Sequence, residues 1–186
     1  MVLDESFTAI DFTQQLLSES EYESCEFINC TFAQVTLSGI TFIDCTFYNC
    51  DLSNVDLNNT AFQEVSFVNC KLLGLRFDTC KSFLLELNFD KCTLNYASFF
   101  GLKIPKTNFQ NSSLLEVDFT ESDLRNADFS HCNLTGTLFS NTILEGADFR
   151  KAINFNVDPE LNYIRSAKFN SDSLIGLLFK YNIIVD

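Results

Sequence analysis

Large apolar residues recur at every fifth position along most of the chain. One series runs from Phe7 to Phe77, and a second, displaced by two residues, runs from Leu84 to Phe149. A helix repeats about every 3.6 residues and a strand every ~2, so neither period accounts for a spacing of five. Each five-residue unit must therefore contain its own change of chain direction. The pattern predicts a coil of short strands joined by tight corners.

The positions around each central apolar residue are also regular. Two residues before it lies a small or apolar side chain, and two residues after it Asn and Gly predominate. Asn and Gly tolerate positive φ angles and form tight turns. The pattern predicts that two positions of each unit face inward and that a third forms the corner. All eight cysteines occupy the small inward position: Cys25, Cys30, Cys45, Cys50, Cys70, Cys80, Cys92 and Cys132.

A longer period predicts how many units close one coil. The string Phe-x-Asn-Cys begins at Phe27 and recurs twice, each time after 20 residues, which is four units. Four units per coil give a square solenoid in which Asn29, Asn49 and Asn69 stack along one edge. In the second series the centre alternates between Phe and an aliphatic residue, which places Phe on two opposing inner faces and fills the interior.

Units such as Ala-Asp-Phe-Ser-His at residues 127–131 resemble those of the pentapeptide repeat family. This resemblance implies an all-β fold, a right-handed quadrilateral β-helix. We expect the solenoid to occupy residues 1–153, with a register break at 78–83. Residues 154–186 are expected to form a C-terminal cap and dimerisation segment with a short helix.

The register break is too short to be a domain linker, so it predicts a bulge or a kink. Phe83 is out of register there. It either folds back and plugs the kink, which is the interpretation we favour, or projects as a small apolar handle. Asp78, Lys81 and Phe83 are the candidate residues of this register-break loop.

The tail after Ala152 loses the period and is rich in apolar residues. Ser171 is predicted to cap a helix that reaches Tyr181, followed by a strand-like piece from Ile183 to Val185. The apolar stripe of this helix either only caps the last coil or also packs against a second copy. Partly because of the family resemblance, we expect a homodimer. Its predicted interface residues are Leu174, Ile175, Leu178, Phe179, Tyr181 and Ile183.

The net charge of −13 argues against direct binding to nucleic acid or to anionic membranes, which carry the same sign. Residues 1–70 contain eleven acids and no Lys or Arg, which solubility alone explains poorly. An acidic rod of fixed spacing is suited to a basic DNA-binding surface on another protein. Nine acids directly precede a central residue and are predicted to form an outward-facing acidic interaction surface: Asp11, Glu21, Glu26, Asp51, Asp56, Asp118, Asp123, Asp128 and Asp148.

Catalytic and metal chemistry find little support. The paired cysteines can be read as a zinc motif, but the repeat already accounts for their spacing and neighbouring members face different sides of the square. His131 is the single histidine and has no nucleophile beside it in the sequence pattern. We expect a protein that is not an enzyme and binds no metal or cofactor. With neither a signal peptide nor a membrane span in the sequence, we expect it to be cytoplasmic, with reduced thiols.

Within the family, the chain resembles the topoisomerase-interacting group that includes the Qnr-type quinolone-resistance proteins, McbG and AlbG. The C-terminal segment carries part of this resemblance, at Asp158, Asn162, Ile164, Arg165, Ala167 and Phe169. The resemblance implies a DNA-mimicking dimer that binds DNA gyrase or topoisomerase IV and protects it from inhibitors, in antibiotic resistance or toxin immunity. Some Qnr-type proteins need long loops for protection, and only the short register break stands in their place here. The alternative is a non-catalytic interaction scaffold with an unknown partner.

Overall fold

The structure is a computed structural model that describes residues 1–184. Short strands form two parallel sheets, one in the order β1-β3-β5-β7 and the other in the order β2-β4-β6-β8-β9. The strands are β1 (Val2–Leu3), β2 (Ser6–Thr8), β3 (Glu21–Glu23), β4 (Glu26–Ile28), β5 (Thr41–Ile43), β6 (Thr46–Tyr48), β7 (Ala61–Gln63), β8 (Val65–Val68) and β9 (Leu87–Asp90). Three 3₁₀ helices complete the elements: η1 (Phe77–Thr79), η2 (Ser171–Leu177) and η3 (Phe179–Tyr181).

Each coil contains four units, as predicted. Phe27 pairs with Phe47 and Phe47 with Phe67, each 20 residues apart. The other two faces are held by single bridges such as Asp51 with Lys71. This pairing continues to Lys168, which pairs with Asp148, beyond the boundary predicted at residue 153. Each face is a short extended stretch, and a corner follows every five residues. The chain is therefore a quadrilateral solenoid.

The core consists largely of stacked phenylalanine rings. One row runs from Phe7 to Phe169 with neighbouring centroids 4.7–5.5 Å apart. A second row, from Phe77 to Phe139, lies on the opposite inner face. The two rows meet edge to face, as where Phe99 and Phe109 meet at 88°, and both arrangements are favourable for aromatic rings. The predicted placement of Phe on two opposing faces is confirmed.

The corners have the predicted conformation. The residue two after most centres has a positive φ, for example 55° at Asn29 and 77° at Gly39; Gln14, Glu19, Thr79 and Glu86 do not. The predicted ladder of asparagines is also present: the Nδ2 of Asn69 donates to the Oδ1 of Asn49 over 2.7 Å, and Asn49 donates likewise to Asn29 over 3.2 Å. These side chains tie successive coils together along one edge.

All eight cysteines are buried free thiols, as their inward column predicts. Thiols donate to carbonyl oxygens of the preceding coil, as from Cys50 to Phe27 and from Cys70 to Phe47, both at 3.2 Å. Burial raises the pKa of the Cys45 thiol to about 11 and that of Cys132 to about 12. The thiols of Cys45 and Cys132 are therefore protonated packing groups at neutral pH.

The register break is an outward turn, and two expectations about it are wrong. Leu84, predicted as a central residue, is 61% exposed, because half-buried Leu85 and buried Leu87 occupy the inner side instead. Phe83 is 75% exposed, so it does not plug a kink. The two extra residues are accommodated in the turn from Ser82 to Leu85, where the Leu85 N–H approaches the Ser82 carbonyl at 3.5 Å.

The C-terminal helix differs in type from the prediction. It is divided into η2 and η3, both 3₁₀, and its N-cap position is Asn170 rather than Ser171. Gly176 allows this segment to lie close to the last coil, since an added Cβ there would clash with the ring of Phe155. Residues 183 and 184 are not in a strand, and Val185 lies outside the described residues. No helix within residues 1–184 is long and apolar enough to span a bilayer.

Candidate binding surfaces

The nine acids predicted as one interaction surface are distributed over all four faces of the solenoid. Asp11 and Asp51 share a face but are separated by Thr31, which pairs with both. Among the nine, Asp128 and Asp148 are the pair that occupies adjacent coils on one face. The spacing of five determines that these acids precede a centre, but their faces depend on the order of units within each coil. The predicted regular column of carboxylates is therefore not present.

Most of these carboxylates are engaged by their own turns. The Oδ1 of Asp51 accepts the Ser53 backbone N–H at 2.9 Å, and Asp128 accepts that of Ser130 at 2.8 Å. This is an Asx-type turn, which an Asp side chain forms readily two residues ahead of an N–H group. The residue type has a structural role that the sequence analysis overlooked. The same contact occurs at Asp11, Asp56, Asp118, Asp123 and Asp148.

Two of the predicted surface acids are buried and paired with arginine. The side chains of Asp123 and Asp148 are 9% and 12% exposed, and they bind Arg125 and Arg150 respectively through guanidinium hydrogen bonds. These hydrogen bonds lower the pKa of both carboxyl groups. Asp123 and Asp148 are therefore not part of an exposed acidic surface, because the arginine two residues further on folds over each of them.

A set of acids that shares only Glu21 and Glu26 with the predicted nine forms a continuous surface in the first four coils. They lie on the sheet of β1, β3, β5 and β7, on the corner that follows it, and on the adjoining start of the second sheet. Within residues 1–184 none of them forms an ion pair, and all are exposed or half-buried. We call this surface the acidic edge; its members are Asp4, Glu5, Glu21, Glu23, Glu26, Asp44 and Glu64.

The charge density of the acidic edge is close to that of duplex DNA. Three coil steps of about 4.8 Å separate Asp4 from Glu64, so the edge has one carboxylate per ~2 Å of rod axis. Duplex DNA carries one charge per ~1.7 Å. Corner positions contribute Asp4, Asp44 and Glu64, all with positive φ. These three were not predicted, because outward-facing acids were expected at the position before each centre and not at the corner.

The predicted dimer residues lie on an apolar surface at the C-terminal end. Phe179 is 69% exposed, Tyr181 53% and Ile183 49%, whereas Leu178 is half-buried. Leu174 and Ile175 are also exposed. A groove of about 1110 Å³ separates η2 from the last coils and is lined by Leu138, Ile153, Phe155, Ile175 and Phe179, among others.

The C-terminal helix η3 is anchored by charge. The Nζ of Lys180 lies 2.8 Å from Asp158 and 2.6 Å from Glu160, and the Tyr181 hydroxyl donates to Glu160 at 2.9 Å. Hydrogen bonding from Lys180 lowers the pKa of both carboxyl groups. These contacts hold η3 in place and leave its apolar side chains facing outward.

The register-break loop contains one paired and two exposed candidate residues. Asp78 is bound by Arg76 at 2.6 Å, and its side chain is 11% exposed, so it contributes little free charge. Lys81 is exposed, and Phe83 is exposed as well. No group of three or more His, Cys, Asp or Glu side chains converges on a point within the part of the chain that the structure describes.

Parallel coils of four five-residue units with inward Phe and Leu define the class of protein, a pentapeptide repeat solenoid. A family model described as the pentapeptide repeat region matches residues 20–82 and 76–149. The chain therefore belongs to the pentapeptide repeat family. A search of curated proteins finds no significant match.

Similarity to solved structures supports the same fold over the whole chain. Two trypsin-treated forms of QnrB1, named as a plasmid-mediated fluoroquinolone resistance protein, each match with a TM-score of 0.65. Their identities are 16% and 18%; the matches cover 99% and 100% of this chain and 99% of each QnrB1 chain. HetL of the cyanobacterium Nostoc, a pentapeptide repeat protein named as involved in regulating heterocyst differentiation, matches with a TM-score of 0.50 and 15% identity. That match covers 89% of this chain and 84% of HetL. The likeness to QnrB1 confirms the predicted right-handed quadrilateral β-helix.

Proposed function

We propose that the protein is a non-catalytic DNA mimic that binds DNA gyrase or topoisomerase IV and protects it from an inhibitor. The observation that carries this proposal is the acidic edge, a set of unpaired carboxylates at nearly the linear charge density of duplex DNA. A basic channel that binds DNA interacts with a rod of negative charge through the same long-range field. The rigid Phe-stacked core holds these charges at fixed spacing.

The resemblance to QnrB1 supports the choice of partner. That protein is named for fluoroquinolone resistance, and fluoroquinolones act on type II topoisomerases. The fold of the present chain is the same over its full described length. The acidic edge is the main recognition feature in this proposal.

We also propose that two copies associate through the C-terminal end. Several large apolar side chains are exposed there, among them Leu174, Ile175 and Phe179, and exposed apolar side chains that cluster favour an interface. A two-fold contact through this surface would bury Phe179 and Ile175 of both copies and double the length of the acidic rod. A long, two-fold rod is suited to a topoisomerase, which itself binds DNA across a two-fold axis.

A supercoiling assay with purified gyrase tests the proposed function. Protein at micromolar concentration is expected to change supercoiling activity, or to restore it in the presence of a quinolone or another gyrase poison. Absence of an effect in both conditions would contradict the proposal and leave an interaction scaffold with another partner.

Matched variants locate the contact. Replacing Glu23 and Glu64 with Gln and Asp44 with Asn removes three exposed charges from the acidic edge and should weaken gyrase binding and its salt dependence. The control replaces Asp118, Asp123 and Asp128 with Asn; it changes net charge equally, but at carboxylates that already serve turns or arginine. Equal losses from both sets would mean that net charge, and not the acidic edge, determines binding.

A further inference from the structure

The acidic edge is followed along the same face by a patch of opposite charge. In the next coil, the corner that carries Asp4, Asp44 and Glu64 is occupied by Glu86, whose carbonyl accepts the Val65 N–H at 3.0 Å. One coil later the same corner is occupied by Lys106. Lys103 lies on the same face beside Asp123, its bridge partner. Duplex DNA has no such reversal of charge, so mimicry of DNA leaves this patch unexplained.

The three lysines of this patch have no carboxylate partners. Within residues 1–184, Lys81, Lys103 and Lys106 form no ion pair, whereas Lys71 and Arg76 in the same stretch bind Asp51 and Asp78. The bridge partner of Lys103 is Asp123, which Arg125 already holds. Glu86 is an exposed acid that lies among the three lysines. Three lysines and one glutamate leave the patch with a net positive charge, on a protein whose total charge is −13.

An apolar turn projects from the centre of this patch. Its tip residues Phe83 and Leu84 are 75% and 61% exposed, and Leu84 has a φ of 55°, which is unfavourable for a branched side chain. The tight turn from Ser82 to Leu85 accounts for the positive φ, but stability of the monomer does not explain why two large apolar side chains are exposed at its tip.

Both ends of this turn are fixed to the coil above. The Lys81 N–H donates to the Thr60 carbonyl at 2.9 Å, and the Glu86 N–H donates to the Phe62 carbonyl at 3.2 Å. Leu85 packs against the core. The turn is therefore a rigid protrusion and needs little ordering to bind.

We propose that the tip Phe83–Leu84 together with Lys81, Lys103 and Lys106, here called the lysine knuckle, is a second docking element, which inserts into an apolar pocket rimmed by carboxylates on the protein partner. A central apolar anchor with a charged rim is the usual anatomy of an interface hot spot. The inference rests on the proposed function and adds to it. The acidic edge supplies attraction, and the knuckle sets the polarity and register of the rod on its partner.

The sign of a charge change separates this inference from simple mimicry. On a uniform DNA mimic, Lys103→Glu with Lys106→Glu extends the negative rod and should tighten binding to gyrase. If the knuckle meets an acidic rim, the same change weakens binding, by about tenfold or more. Phe83→Ser should weaken it to a similar extent, because the anchor is removed.

Matched controls lie at similar height on other corners. Tyr96→Ser removes a 56% exposed aromatic side chain from the corner diagonally across, and Lys91→Glu reverses a charge away from the knuckle's face. Neither should weaken binding of the full-length protein to purified gyrase, measured by titration at fixed salt. Unchanged or tighter binding of the knuckle variants, with wild-type binding intact, overturns the knuckle and leaves the proposed function standing. No binding by the wild-type protein overturns the proposed function itself.

Discussion

The rings of Phe67 and Phe89 stack with centroids 5.5 Å apart and planes 10° from parallel, although 22 residues separate them. Every other neighbouring pair in that row, such as Phe47 and Phe67, is separated by 20. The core is therefore continuous across the two extra residues, because they are accommodated in the exposed turn at Phe83. The register break changes the surface of the rod without dividing the rod into two segments.

The stacked rows should dominate stability. Phe109 is fully buried, stacks on Phe89 and Phe129, and meets Phe99 and Phe119 edge to face. Phe109→Ala should cost about 3–5 kcal/mol of unfolding free energy, through lost burial and the cavity left behind. Urea unfolding followed by circular dichroism measures it. The control Phe83→Ser should change stability by less than about 0.5 kcal/mol, and a comparable loss there would contradict the placement of that ring.

The corner glycines offer a test of coil-to-coil spacing. Gly146 and Gly101 have nearly the same φ, 70° and 66°, but a Cβ at Gly146 would lie 2.4 Å from the Oδ1 of Asn126, whereas one at Gly101 meets nothing within 4 Å. Alanine at either position should lose about 1–2 kcal/mol through the left-handed conformation. Gly146→Ala should lose more than Gly101→Ala because Asn126 must also move. Equal losses in thermal unfolding would mean that the coils are further apart than described.

The arginine-bound carboxylates predict a dependence of stability on pH. Hydrogen bonding from Arg150 lowers the pKa of Asp148 in the folded protein, whereas in the unfolded chain it is about 3.9. The stabilisation is therefore present above about pH 4 and is lost as the pH falls through the folded value. Asp148→Asn should cost about 1–2 kcal/mol at neutral pH.

The difference between wild type and Asp148→Asn should shrink as the pH falls below about 4, measured by urea unfolding at a series of pH values. Glu64→Gln controls for the loss of one negative charge at an exposed position. A cost of Asp148→Asn that does not change with pH would contradict the role given to Arg150.

The proposed dimer is best tested at an exposed side chain. Phe179 is 69% exposed, so Phe179→Asp should leave the monomer folded while placing a charge in the interface. Light scattering should then report monomers where the wild type gives dimers. Tyr96→Asp serves as the control, and persistence of the dimer in the Phe179 variant would place the interface elsewhere.

The coil could be predicted because the same five-residue pattern recurs along most of the chain. Spacing of five marks the corners, spacing of 20 marks the stack, and the Phe rows follow from these two periods alone. The turn at Phe83 was harder to predict, since the sequence shows that two residues are extra but not which residues leave the core. Leu84 continues the apolar spacing, yet Leu85 and Leu87 take the inner positions.

An exposed acidic surface was predicted, but most of the residues that form it were not. The column before each centre contains many Asp residues because Asp accepts the N–H group two residues later, as Asp128 does from Ser130. That local reason is indistinguishable, in sequence alone, from selection for exposed charge. Asp44 and Glu64 were missed because corners were assigned to turn formation, although a corner side chain also points into solvent.

Competition between this protein and DNA for gyrase tests the central proposal most directly. Purified protein bound to gyrase is titrated with a short linear duplex, and the bound fraction is followed by fluorescence anisotropy of the labelled protein. If the acidic edge occupies the DNA-binding surface, DNA should displace the protein completely, and more DNA should be needed for half displacement as the concentration of the protein is raised. A stable complex containing gyrase, DNA and this protein together would contradict DNA mimicry.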